Sequence, residues 1–262
     1  MILKRFKEIE LMAEAAAINR RALQAVEAIM APGVSTAELN RIAEDTIVSL
    51  GGRPAFKGYR GFPATLCTSL NDVVVHGIPN DRLLRDGDIL SIDIGTFFRG
   101  YAADMAKTYA IGTISQEAQR LLDVTEHSLF AGIAAIRVGG RLGDVSAAVQ
   151  AVVEEAGFWV VREFVGHGIG RDFHEAPEVP NFGRAGKGPL LRPGLVLAIE
   201  PMVTQRQTRV KILDDQWTAP TVDGSLAAHF EHTVAITKDG PRVLTAYDPE
   251  PFAVSGGGVH GA

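Results

Sequence analysis

The chain has 262 residues, 46% of them hydrophobic and 22% charged, with a formal net charge of −5. That length supports one large core or two small ones, and the balance excludes mostly disordered, collagenous and coiled-coil proteins. Mild acidity argues against a dedicated nucleic-acid binder, and a single cysteine, Cys67, excludes an intrachain disulfide and a Cys-rich zinc module. No targeting segment and no run of about 18 apolar residues is legible, so a cytoplasmic protein with no membrane partner is expected.

Residues 3–31 read as a helix: Ile9, Met12, Ala16 and Leu23 recur at helical spacing, and Pro32-Gly33 stops it. Ser35-Thr36-Ala37-Glu38 reads as a capping box opening a second helix, which Gly51-Gly52 ends near Leu50. The pattern then changes to strands at Thr65–Leu70, Val73–Val75, Ile89–Phe98 and Ala103–Ile111. After that the order recurs. Helices are expected over 115–137, with Ser115 as cap, and over 143–156, beyond Gly139-Gly140. Strands follow at Phe158–Val165, Leu195–Val203, Val210–Leu213 and His229–Ile236. Arg171 to Pro189 reads as a long Gly/Pro-rich loop, of a length that often carries function, and 255–262 as a flexible tail.

The likeness between the two halves reaches individual residues. The eleven residues from Leu83 to Asp93 align without gaps to Leu190 through Glu200; six are identical, and a carboxylate ends both. Upstream, His76-Gly77-Ile78-Pro79 answers His167-Gly168-Ile169-Gly170. The offsets, 107 and 91, leave about 16 extra residues in the second half, which are the long loop. The expected organisation is one domain over 1–254. It would consist of two pseudo-symmetric halves, about 1–112 and 113–254, with matching strand residues meeting near a central axis.

Asp93 lies in the apolar run Ile89–Ile94, where a carboxylate is costly unless paired or bound to metal. Alternation puts Ser91, Asp93 and Gly95 on one face. Asp104 follows 11 residues later on the next strand. Glu200 repeats the situation after Leu197-Ala198-Ile199, and Pro201 should interrupt its strand. Glu231 lies in His229-Phe230-Glu231-His232, with His232 on the opposite face. Taken singly, each acid could be a buried ion pair or a turn residue. Together with His167 at a strand end they have the composition of a metal site, suited to Mn²⁺, Fe²⁺, Co²⁺ or Zn²⁺. Four carboxylates are balanced by two such ions, as in two-metal hydrolases. His174 is either a solvated loop residue or part of this site, whereas His76 gains weight from its repeated string. His127 and His260 read as structural or exposed, and Cys67 as a small core or pocket residue rather than a nucleophile.

Several strings resemble those of bacterial type I methionine aminopeptidases, over about residues 3–248. They are Asn71-Asp72-Val73-Val74-Val75-His76-Gly77-Ile78-Pro79, Asp93 with Gly100-Tyr101-Ala102-Ala103-Asp104, Gly166-His167-Gly168-Ile169-Gly170, Glu200-Pro201 and Phe230-Glu231-His232-Thr233. The resemblance implies an α+β, pseudo-two-fold pita-bread fold: a curved, antiparallel-rich sheet covered by two helix pairs. It also implies a cytoplasmic monomer that removes the N-terminal methionine of nascent proteins when the second residue is small. Whether it docks on the ribosome is left open. Two divalent ions (Co, Mn, Fe or Zn) would be held by Asp93, Asp104, His167, Glu200 and Glu231, with Asp104 and Glu231 bridging. Water between the ions would attack, with Glu200 as base, His76 near the scissile nitrogen and His174 near the carbonyl oxygen. Tyr59, Phe62, Cys67, Phe173 and Trp217 would line the methionine pocket. Phe56 stands where such enzymes commonly carry a small residue, often Cys. The rival readings are an X-Pro aminopeptidase or prolidase, which usually carries a further N-terminal domain, and a non-catalytic binding protein on the same fold, which would have lost ligands.

Overall fold

The structure, a computed structural model, describes residues 1–207 and 209–247; the expected tail lies outside them. Four helices form where the caps predict them. Helix α1 spans Phe6–Glu27 and α2 spans Thr36–Ser49, where Ser35 Oγ accepts from the Glu38 N–H at 3.2 Å. Helix α3 spans Gln116–Ala134, with Ser115 Oγ accepting from the Ala118 N–H, and α4 spans Leu142–Glu155. α1 starts later than expected because Lys4 is held elsewhere: its N–H donates to Gly194 O and its ammonium pairs with Glu175 at 2.5 Å.

The first-half strands are β1 (Arg53–Pro54), β2 (Leu66–Leu70), β3 (Val73–Val75), β4 (Ile89–Phe98) and β5 (Tyr101–Ala110). The second half supplies β6 (Trp159–Val160), β7 (Gly166–Gly168), β8 (Glu175–Val179), β9 (Val196–Ile199) and β10 (Met202–Thr204). It ends with β11 (Ala219–Pro220), β12 (Ala227–His229), β13 (Glu231–Thr237) and β14 (Gly240–Val243). The main antiparallel sheet runs β1-β4-β5-β13-β9-β7-β8, with β2 also on β4 and β14 on β13. The central strands turn apolar faces to the helix pairs. Ile92, Ile94 and Met105 pack with Ile18, Leu23 and Leu39 of α1 and α2. Leu197, Ile199 and Val234 pack with Leu121, Leu129 and Val145 of α3 and α4. This is the helix-covered antiparallel architecture expected from the sequence.

The halves meet where β5 pairs β13, with Ala106 opposite Glu231 and Met105 opposite His232. Threonine hydroxyls extend that short ladder at both ends. Two residues before Ala106, the Asp104 N–H donates to Thr233 Oγ1 at 2.9 Å, and the same hydroxyl donates to Asp104 O at 2.7 Å. Two residues after Ala106, Thr108 Oγ1 accepts from the His229 N–H at 2.9 Å and donates to His229 O at 2.8 Å. Matching contacts also recur at the aligned leucines: Gly33 N–H donates to Leu84 O, and Gly139 N–H to Leu191 O.

Several strand expectations are corrected. The long loop contains β8; as an edge strand beyond β7 it tolerates Pro177. The expected strand Phe158–Val165 pairs only at Trp159–Val160, and the Arg162 N–H turns to the Glu163 carboxylate instead of a neighbouring strand. At Val210–Leu213 only a single bridge, Val210 to Thr221, forms, and Asp215 gathers the N–H groups of Trp217 and Thr218 into a turn. Leu195–Val203 breaks at Glu200-Pro201, as the proline requires, and His229–Ile236 breaks at Phe230. Among the described residues no helix is long and apolar enough to cross a membrane.

Candidate active site

The concave side of the sheet gathers the acids found in the sequence. Asp93 on β4 faces Cys67 of β2 in register, and Asp104 lies on neighbouring β5, opposite Gly95. Asn19, fully buried on α1, ties these strands together. Its amide donates to Ile94 O and Ala103 O, each at 3.0 Å, one residue from each aspartate. Glu200 directly follows β9 and Glu231 begins β13. His167 on β7 reaches the same point: its Nε2 lies 3.8 Å from Asp104 Oδ2 and 3.7 Å from Glu200 Oε1. Its Nδ1–H donates to Gly168 O at 2.9 Å, which leaves Nε2 free to ligate. Gly166 permits this placement, since a Cβ there would lie 2.3 Å from Ala198 O.

These groups fit a bound cation. Asp104, His167 and Glu231 offer ligand atoms within 4.8 Å of one another, as do Glu200, His229 and Glu231. Asp93 Oδ1, Asp104 Oδ1 and Glu231 Oε1 are buried with no hydrogen-bond partner, an arrangement too costly to persist without a compensating charge. Burial, followed by mutual repulsion, pushes the Asp104 and Glu231 carboxyls well above their ordinary range. Burial likewise raises Asp93 and Glu200 to about 7. Oxygen donors with one imidazole suit Mn²⁺, Fe²⁺, Co²⁺ or Zn²⁺.

Beside the acids lies a cavity of about 150 Å³ walled by Phe56, Tyr59, Phe62, Cys67, Phe173 and Trp217. Its rings interlock edge to face: Phe62 with Trp217 at 5.2 Å, Phe56 with Phe173 at 5.3 Å, and Phe56 with Phe62 at 6.4 Å. Burial and the neighbouring acids push the Cys67 thiol well up, so it is a wall and not a thiolate nucleophile. His76 takes a left-handed backbone (φ 61°), and Gly77 beside it packs where a Cβ would lie 2.2 Å from Thr68 O. This turns the His76 ring into the cavity, edge-on to Phe164 at 5.4 Å and to Trp217 at 6.2 Å. Burial lowers its pKa to about 4.

His174 sits on the loop before β8, fixed by the Lys4–Glu175 pair next to it. Its ring stacks on Tyr59, whose Oη lies 2.9 Å from Nδ1, and its centroid is 4.0 Å from that of His167. Burial of the inner ring face, then His167, Arg60 and His76, lower its pKa to about 3, so it is a neutral imidazole. His232 points away from the acids, with Nδ1 3.0 Å from Thr245 Oγ1, as the alternation required.

Three residues of the site escaped sequence reasoning. His229 lies against Glu200; it sits two residues from Glu231, a strand spacing that would have put both on one face. Arg60, with φ 48°, lines the cavity mouth and lies over the Tyr59 ring. Asn19 carries no local signal, since it reads as an ordinary polar residue of an amphipathic helix.

Residues 10–238 match the metallopeptidase family M24. A methionine aminopeptidase of Clostridium perfringens is 53% identical over 245 residues, which is 94% of this chain and 98% of that protein. The crystal structure of a methionine aminopeptidase from Thermotoga maritima superposes with a TM-score of 0.92 at 43% identity, covering 94% of this chain and 99% of that one. A prolidase from Pyrococcus furiosus shares the fold alone, with a TM-score of 0.74 at 21% identity, and this chain spans 65% of it. The fold is therefore the pita-bread architecture, and the chain belongs to metallopeptidase family M24.

Proposed function

We propose that the chain is a divalent-metal methionine aminopeptidase, releasing N-terminal methionine from chains whose second residue is small. The observation that carries this is one chamber joining a buried carboxylate–imidazole cluster to a small cavity with aromatic walls. The whole-length likeness to methionine aminopeptidases supports it. Asp93, Asp104, His167, Glu200 and Glu231 would hold two ions. When bound, such ions polarise the scissile carbonyl and make water acidic enough to attack at neutral pH.

The protein's own groups do the rest. The aromatic walls and Cys67 take an unbranched thioether and reject charged side chains by desolvation. The carboxylates meet the free amine of the first residue. Glu200 accepts a proton from the attacking water and passes it to the departing amine. With Tyr59 Oη as donor to His174 Nδ1, the imidazole proton lies on Nε2, where it can stabilise the oxyanion. His76 holds the scissile nitrogen. The residue after methionine passes between His76 and His174, which crowd out large side chains. This reading implies a cytoplasmic monomer that meets chains leaving the ribosome, and the free, buried Cys67 suits a reducing compartment.

A peptide panel varied at positions one and two tests the assignment. Met-Gly, Met-Ala and Met-Ser peptides are expected to be cleaved, Met-Lys and Met-Phe little, and N-acetylated or Xaa-Pro peptides poorly. Phe56→Cys should widen tolerance or leave it unchanged, because it trims a wall. Equal turnover of Leu-, Lys- and Met-initiated peptides would sink the methionine reading while leaving a metal aminopeptidase standing. A second test concerns His174→Ala, for which kcat should fall by roughly 10²–10³ with bound metal unchanged. Near-normal kcat, or a loss of metal, would remove His174 from the oxyanion role.

A further inference from the structure

One buried side chain beside the acids has no part in the proposed mechanism. His229 is 1% exposed, and its Nε2 lacks a hydrogen-bond partner. That atom faces Glu200 Oε2 at 3.5 Å, just beyond hydrogen-bond range, while the other oxygen, Oε1, faces His167. The two oxygens of one carboxylate thus look at two imidazoles.

The seam between the halves explains why His229 stands there. Ala106 and Glu231 are paired across it; Asp104 lies two residues before the first and His229 two before the second. Both are clamped the same way, N–H and carbonyl together, by a threonine hydroxyl of the opposite strand. His229 therefore occupies the second-half position that answers to Asp104. Thr108, which grips it, is itself bonded to Ser91 Oγ at 2.8 Å, two residues from Asp93. The His229 backbone is also paired on the far side, to Met202 of β10. A rigidly mounted side chain with a bare buried nitrogen thus faces Glu200.

We propose that His229 is a positioning residue for Glu200: its Nε2–H holds the outer oxygen Oε2 and keeps Oε1 turned toward His167 and the metal-binding face. A carboxylate oxygen has two lone-pair sites, so Oε2 can accept this bond and still take a proton. Hydrogen-bonded partners of this kind set the orientation of a ligating carboxylate, and losing one typically weakens metal affinity 10–100-fold. The inference rests on the divalent-metal reading of the cluster and is independent of the substrate.

The test uses metal alone. The full chain, stripped of metal, is titrated calorimetrically with Co²⁺ as wild type, His229→Leu and His229→Gln. Leucine removes the donor and glutamine keeps an N–H. The leucine variant is expected to bind Co²⁺ about 10–100-fold more weakly. The glutamine variant should recover most of that loss, and metal-free melting temperatures should stay close to wild type. X-ray absorption of the Co²⁺-loaded wild type should count one imidazole per protein, that of His167. Wild-type affinity in the leucine variant, or a glutamine variant as weak as leucine, would overturn the proposal. A second imidazole on the metal would overturn it too, by making His229 a ligand; that measurement uses the unaltered protein and decides even if a variant fails to fold. Because no step involves a peptide, failure here leaves the methionine reading untouched, and failure of the peptide panel leaves this one untouched.

Discussion

Glu200→Gln is expected to lower kcat by roughly 10²–10⁴ while KM changes far less, the range removed with a general base. The substitution is isosteric and the backbone around it is fixed independently of the side chain. Glu200 O accepts from the Asn181 amide at 2.9 Å, and β9 ends at Ile199, before Pro201. The fold should therefore survive. The glutamine amide can still offer an oxygen toward the His167 side but cannot take a proton. Steady-state kinetics on a Met-Ala-Ser peptide, with bound metal measured in parallel, check this. Near-normal kcat at full metal content would remove Glu200 from proton transfer.

Removing metal should make the protein unstable in neutral solution and comparatively stable in mild acid. Asp93 and Glu200 have ordinary values of 3.8 and 4.5, raised by burial to about 7. Asp104 and Glu231 are raised in the same direction. A raised carboxyl keeps its proton in the native state where the unfolded chain has released it. Stability from these groups is thus fully present below about pH 4 and is lost as pH climbs toward 7 and beyond. At ~1.4 kcal/mol per proton per pH unit, several kcal/mol are at stake. For a chain this size that is on the order of 10 °C in Tm. Melting curves of the chelator-stripped protein at pH 5.5 and 8 should show the lower Tm at pH 8, and stoichiometric Mn²⁺ or Co²⁺ should reverse the order. A stripped protein indifferent to pH over that interval would contradict the raised titration of this buried carboxylate cluster.

What the sequence disclosed of this site, it disclosed through anomalies. A carboxylate inside Leu90-Ser91-Ile92-Asp93-Ile94 violates the hydrophobic pattern, and so does Glu200 after Leu197-Ala198-Ile199. Such violations must be compensated, and they stood out. The serine caps of α2 and α3 and the break at Pro201 were equally plain, because each rests on local backbone chemistry. What stayed hidden depends on partners far along the chain. Strand β8 shows charged Glu175 and Glu178 and includes Pro177, and becomes a strand only because β7 supplies a ladder. Asn19 is polar for the sake of two carbonyls 75 and 84 residues away. His229 gains its meaning only from Glu200 and from Thr108, which lie far from it along the chain.

The seam between β5 and β13 also bears on when the chain can act at all. Asp93 and Asp104 arrive on the first half's strands, and His167, Glu200 and Glu231 on the second's. The threonine clamps that align Asp104 and His229 each reach across. Neither half alone holds the acids in one place, so hydrolytic competence belongs only to the finished molecule. The acids come together only when β13 closes on β5 across this seam.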